Sequence, residues 1–407
     1  MMRIEKNNLL TLILIIILAG ICQTTSAQFN IKIPKIGKPK KEEAKVEQPN
    51  TDANQSAPNE SKSNENRSSS NQSNYLDDPA RPKTPQIMLE TLEIKAHNQA
   101  KYFKTPANND NPSWFPQVAF QVFYAADSPT LRYTANWTNP DGSTWFSEPL
   151  EMNYGGDFPD LRSPFEDKDL EPKAIIVGGT YGLKITDTKT NQTVFQGKFK
   201  VNKLPLAPPT DHKLLFYVEN DWNMSVGYVG FKKNNTDYEV HTRPMAFFWF
   251  KGVLDENQFE GELYYNSQRV ATTDKGGSVN KYGERGADCF LARAVCAHTL
   301  LGFEWDNFVV DNARSARKNN PNGYFTNDHA GEYTIKVFYK GDQVREAKFT
   351  IDAKGLPARN VFSDQIFLND YRVIVPVKVM GTLEKWNAAS WKIDAFYGNL
   401  LKGFNVP

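Results

Sequence analysis

The chain has 407 residues, with 48 Lys and Arg against 47 Asp and Glu, giving a net charge of +1. That balance supplies no basic field to recruit nucleic acid or an anionic membrane. A hydrophobic share of 40%, with 13% aromatic residues, is enough to build real cores over two or three domains.

Residues 1–27 read as an export signal. Arg3 and Lys6 precede an apolar run at 9–21 of about 13 residues, which is short of the ~20 a membrane-spanning helix needs. Thr25, Ser26 and Ala27 place small residues ahead of a cleavage point, predicting a cut after Ala27 with Gln28 first in the mature chain. Cys22 follows Ile21 rather than a small residue, which argues against a lipoprotein signal. Residues 28–86 are then a low-complexity linker, dense in charge at first and afterwards rich in Asn and Ser. Such a segment buries too little apolar surface to offset its ordering entropy, so it reads as a disordered tether.

A first β-sandwich domain is expected over 87–204, with strands near 88–96, 118–124, 131–137 and 144–146 and a closing hairpin at 180–201. Asn139-Pro140-Asp141-Gly142 is a turn between Trp137 and Trp145. Residues 205–212 read as a Pro-rich linker. A second sandwich is expected over 213–352. In it the nearly unbroken apolar run at 245–250 reads as a central strand buried on both faces. Within this domain, 275–302 reads as an insertion. Phe290, Leu291, Ala294, Val295 and His298 recur at helical spacing there, predicting a short helix over 286–301. Residues 353–407 form a short C-terminal β segment packed on the second domain. Its strand at 370–380 contains Pro376, which points to an edge or a bulge. The other reading of this piece is an incomplete repeat completed by a partner's strand.

Two stretches repeat one phrase. GTYGLKITDTKTNQTVFQGKFKV begins at Gly179, and GEYTIKVFYKGDQVREAKFTI begins at Gly331. In each, Gly-x-Tyr opens an alternating strand, a turn follows, and a second alternating strand returns, which predicts a duplicated β-hairpin. The phrase resembles the last two strands of bacterial immunoglobulin-like and fibronectin-like β-sandwiches. The resemblance implies a fold and carries no active site with it. The expected class is therefore all-β: two tandem immunoglobulin-like sandwiches, a short helical insertion in the second, and a disordered N-terminal tether.

Chemistry has little to build on. Cys289 and Cys296 are the cysteines of the mature chain. An oxidising compartment favours a disulfide between them. Seven residues along one helix, however, would separate their Cα atoms by about 10 Å, beyond disulfide reach. The pair is thus bonded only if the helix is interrupted; otherwise it is two buried thiols. Cys296 with His298 lacks the spacing of a nucleophile and base on a helix, and no metal-ligand, P-loop or Gly-x-Ser-x-Gly pattern occurs. The acidic pairs Asp167/Asp169 and Glu148/Glu151 read as solvated loop groups rather than a calcium site. The sequence implies no catalytic residue, no metal and no cofactor. The expected function is an exported, non-catalytic binding or scaffolding protein of the bacterial cell envelope or extracellular space, with a protein partner and no membrane span in the mature chain. The alternatives are a carbohydrate-binding module using exposed aromatics, and a secreted hydrolase with its site at the domain interface.

Overall fold

The structure, a computed structural model, describes residues 85–98, 113–123, 131–153, 158–164, 173–206, 214–233, 242–286, 289, 292–311, 316–363 and 372–392. The cleavage point at Ala27 and Gln28 and all of the tether before residue 85 lie outside them, as do Asp167, Asp169, His212, His241 and most of the Pro-rich stretch. The fold is all-β. Its strands in the first half are β1 (Gln86–Asn98), β2 (Trp114–Phe123), β3 (Tyr133–Thr138), β4 (Thr144–Pro149), β5 (Glu151–Asn153), β6 (Asp160–Arg162), β7 (Gly179–Asp187), β8 (Thr193–Pro205) and β9 (Leu214–Val218). They make two antiparallel sheets, ordered β1-β2-β6-β5 and β4-β3-β7-β8-β9. Leu214–Val218 lies in this half because β9 pairs with β8, from Val201↔Val218 to Pro205↔Leu214. Its free edge is closed by the Asn98 side chain. The amide bonds both backbone groups of Phe216, each at 2.8 Å.

The second half holds β10 (Val226–Lys233), β11 (Thr242–Lys251), β12 (Phe259–Tyr265), β13 (Gln268–Thr272), β14 (Gly277–Arg285), β15 (His298–Trp305), β16 (Phe308–Val309), β17 (Tyr324–Phe325), β18 (Gly331–Tyr339), β19 (Asp342–Ile351) and β20 (Val373–Val379). Apart from the small β16-β17 pair they form one sheet, β13-β12-β18-β19-β20-β10-β11-β15-β14. Its two ends are consecutive in sequence, joined by a helical turn at Thr273–Gly276. That turn touches β12 through Gly261 N–H to Thr273 Oγ1 (2.9 Å), and the chain just past β15 through Asp306 N–H to the Gly276 carbonyl (2.7 Å). The sheet therefore curls until its ends meet. β20 crosses from one side of the curl to the other: Val373 to Pro376 pair with β10, and Val377 to Val379 pair with β19. Pro376, which has no N–H to give a ladder, sits where the strand changes partner.

Two large apolar clusters, with two small ones beside them, pack the described residues, and β11 lies between the large pair. Met245 and Phe247 face the cluster built around Trp114, Trp137 and Tyr181, while Ala246, Phe248 and Phe250 face the one built around Phe303, Tyr333 and Ile335. This alternation is why the 245–250 run is apolar throughout. Trp222, Tyr228 and Ile374 join the first cluster as well, so it runs from the first two sheets onto one face of the third.

The two repeated hairpins pair in matching register. Tyr181 pairs with Phe199 and Ile185 with Phe195; Tyr333 pairs with Phe349 and Val337 with Arg345. Both tyrosine hydroxyls donate to the carbonyl four residues upstream, Tyr181 to Val177 at 2.8 Å and Tyr333 to His329 at 2.9 Å. The second hairpin turns through Lys340 and Gly341 with φ of 52° and 90°, the left-handed pair that suits strand twist. The first uses a longer turn in which Asp187 Oδ1 accepts the N–H groups of Lys189 and Thr190.

The expected helix over 286–301 is corrected. Among the described residues of this stretch, Arg293–Cys296 form the helical turn, and His298–Trp305 is strand β15, paired with both β11 and β14. An apolar run covered on both faces has no period of its own, so its spacing imitated a helix. Strands β14 and β15 place half of 275–302 in the sheet. Between them the chain reverses, which brings the Cα atoms of Cys289 and Cys296 to 6.2 Å with their sulfurs bonded.

Candidate functional site: a buried polar network around Asp221

After β9 the chain runs through Glu219 and Asn220 into a 3-10 turn, Asp221–Ser225, every residue of which is buried. Asn223 N–H closes it onto the Asn220 carbonyl at 3.0 Å. Polar side chains placed this deep require partners, and distant parts of the chain supply them. Asp221 Oδ1 meets His298 Nε2 at 3.0 Å; Oδ2 accepts from Lys251 Nζ at 2.8 Å and from the Asn387 backbone N–H at 2.6 Å. Burial pushes the Asp221 carboxyl up, but the hydrogen bonds and charges of His298 and Lys251 outweigh it and hold the group at about 2. His298 Nδ1 faces the Cys296 carbonyl at 3.2 Å. Both ring nitrogens thus face oxygen atoms of the chain.

Arg345 and Glu384 form the second knot, with side chains 0% and 1% exposed and a 2.7 Å bond between Nη2 and Oε1. Arg345 also donates to the carbonyls of Val344 (2.8 Å) and Trp249 (2.9 Å), and its guanidinium lies over the Phe250 ring. Glu384 Oε1 accepts the Lys251 N–H as well, at 2.9 Å. A third knot is Glu219, which takes Lys200 Nζ at 3.1 Å, Asn202 Nδ2 at 2.8 Å and Asn387 Nδ2 at 2.9 Å. Arg285, at the end of β14, bonds Asn223 Oδ1 (2.8 Å) and the Glu90 carbonyl (3.0 Å) and lies against the rings of Trp222 and Trp249.

Chemically the arrangement is a tie. His298 is 1% exposed and its imidazole is used by Asp221 and a carbonyl. The sulfur of Cys296 is engaged with Cys289, so Cys296 and His298 do not form a nucleophile and base. Among the described residues no group of three His, Cys, Asp or Glu is placed to hold a metal ion. A cavity of about 340 Å³ lies elsewhere, beside Glu256, Gln258, Glu260, Thr273 and Asp274, and no residue of the network lines it. What the network does hold is the end of the described chain: Glu384 and Asn387 anchor the stretch after β20 to Glu219 and the 3-10 turn that follow β9, to β11 and to β19.

The other sequence candidates do not converge. Glu148 is buried and accepts from Trp137 Nε1 (3.0 Å) and Ser163 Oγ (2.7 Å); burial raises its carboxyl despite those bonds. Glu151 is exposed on β5, so the two are not a pair. His97 packs on Phe115, and His329 stacks on Tyr324, far along the chain from His298. Trp137 and Trp249 are buried and Trp145 is half-buried against Trp114 and Tyr181; the side chain of Trp391 lies outside the described set. Sequence reasoning passed over Asp221, Lys251, Arg345, Glu384 and Asn387. One signal was available: Arg345 occupies the same strand phase as Ala347, Phe349 and Ile351, where an arginine has to be buried.

No protein-family model matches this chain, and no curated protein does.

Proposed function

We propose that the chain is an exported, non-catalytic binding or scaffolding protein of the bacterial cell envelope or extracellular space, working through a protein partner. The observation that carries this reading is the use of its reactive groups. The acids, the histidine and the cysteines that chemistry would need are buried and spent on one another, and they tie the chain after β20 to the sheets. The burial of Trp137 and Trp249 weighs against a sugar platform. We also read the two hairpins as descendants of one immunoglobulin-like unit. Each carries a tyrosine bonded to a carbonyl four residues upstream, the corner such sandwiches use.

The test is cross-linking in living cells. Photoreactive residues placed at exposed sheet positions are expected to trap a defined protein adduct on a chain that starts at Gln28 in the envelope or extracellular fraction. A chain that keeps Met1 and stays in the cytosol, or adducts with glycan alone, overturns the reading.

A further inference from the structure

The Cys289–Cys296 bond sits where the two halves of the molecule touch. The last pair of the β14–β15 ladder is Arg285↔His298, and the cysteines lie just beyond it. Ala292 N–H donates to the Cys289 carbonyl at 2.9 Å, and Cys296 N–H to the Ala292 carbonyl at 3.3 Å. The backbone passes close at the base of this clasp. A Cβ on Gly286, whose φ is 72°, would lie 2.5 Å from the Cys296 carbonyl oxygen. The bonded pair, 1% and 0% exposed, packs with Leu215 of β9 and against Leu204, Leu206 and Tyr217. Phe216 and Val218, the alternate residues of β9, face the large first cluster instead. The clasp thus covers the other face of the β8–β9 end, where Leu204 pairs with Leu215.

The two residues of that last ladder pair carry ties to the 3-10 turn. Arg285 bonds Asn223 Oδ1 and the Glu90 carbonyl, and His298 bonds Asp221 Oδ1. The end of a ladder opens more readily than its middle. Joining Cys289 to Cys296, seven residues apart, closes a short loop just past that end and limits how far it opens. The same place is held on its β11 side, where Gly252 N–H donates to the Ala297 carbonyl at 2.7 Å.

We propose that the Cys289–Cys296 bond is a redox-sensitive clasp on the junction of the two halves. Oxidised, it keeps the Leu204 and Leu215 face covered and the Arg285 and His298 ties seated. Reduced, the end of β14–β15 frays and that face is uncovered. This device is independent of the protein-partner reading. The reaction is thiol–disulfide exchange with a dithiol. The chain's S–S bond breaks, the two sulfurs of the dithiol join, and two electrons and two protons pass to the chain, leaving two thiols. Both sulfurs are buried, so an attacking thiolate reaches them only when the clasp opens, and reduction of the folded chain is slow.

The experiment compares the mature chain before and after overnight dithiothreitol, with the two thiols confirmed by mass, using hydrogen exchange. Reduction is expected to speed exchange about fivefold or more over 215–225 and 292–298, and to change the β7–β8 hairpin less than about twofold. Binding of a dye that lights up on apolar surface should rise with it. Cys289→Ala with Cys296→Ala should melt about 5 °C below the parent. In a His298→Ala background the same two changes should shift the melt by less than half as much, because the tie that the clasp protects is already cut. Unchanged exchange over 215–225 after reduction, or fully additive shifts with His298→Ala, overturns the proposal, as does a bond that dithiothreitol leaves closed in the folded chain. Faster exchange throughout, with the β7–β8 hairpin included, overturns it as well. If the alanine pair does not fold, the exchange comparison on the natural chain still decides.

Discussion

The hairpin β7–β8 and the hairpin β18–β19 share register, tyrosine bond and a largely apolar inward face, yet one inward position changes from apolar to charged. Where the first has Phe195 opposite Ile185, the second has Arg345 opposite Val337. Phe195 completes a local apolar core. Arg345 reaches across to Glu384, 39 residues on, and through it to Lys251. The lesson is that two hairpins of matching register take different tasks through one inward side chain. The first hairpin adds its inward side chains to one apolar cluster, while the second uses Arg345 in its interior to hold the chain beyond β20.

The largest expected effect tests that exchange directly. Arg345→Ala should cost about 3–5 kcal/mol by stranding Glu384 in the interior, and Arg345→Met with Glu384→Leu should restore most of it. Urea unfolding of the single and double variants decides; equal losses would show that the pair is not the working unit. Next comes Asp221. Its carboxyl is held at about 2 against an ordinary 3.8. A depressed carboxyl contributes stability that is complete above its ordinary value and lost as pH falls toward the folded one. About 2 kcal/mol should therefore disappear between pH 4 and 2, and the Asp221→Asn variant should lack that slope in urea midpoints taken against pH.

Removing the shared tyrosine bond should cost about 1 kcal/mol in each copy. Tyr333→Phe should cost the more, because its hydroxyl also meets Tyr324 at 3.3 Å; thermal melts of both variants check the order. The smallest change is expected from Glu148→Gln, below about 1 kcal/mol at pH 4. The Glu148 carboxyl is raised, so its contribution is present at low pH and lost as pH rises through the folded value. The glutamine variant should gain on the parent toward neutral pH, the reverse of the trend at Asp221, and a pH series of melts would reveal it.

Much of the fold was legible because its signals are local. The two Gly-x-Tyr hairpins, the turn at Asn139 to Gly142 and the doubly covered β11 follow from alternation and turn chemistry over short windows. The chain from Cys289 to Leu301 was not, since apolar residues on both faces of a central strand leave no period to read. Leu214–Val218 was placed beyond a linker because prolines precede it, and nothing nearby announces its pairing with β8. The polar network was least visible. Asn387 meets Asp221 and Glu219 across 166 and 168 residues, and such partners share no local pattern. Only Arg345, an arginine in an apolar phase, pointed to it.

The position of β20 also sets a schedule. A chain is made from its N-terminus, so β10 and β19 exist for the time it takes to synthesise residues 352–379 without the strand that lies between them. Until Val373–Val379 arrives, both present open backbone edges, the kind that pairs with other chains. The second half thus completes late, and a chain cut short before residue 373 carries two strands, each with an open edge, rather than one continuous sheet.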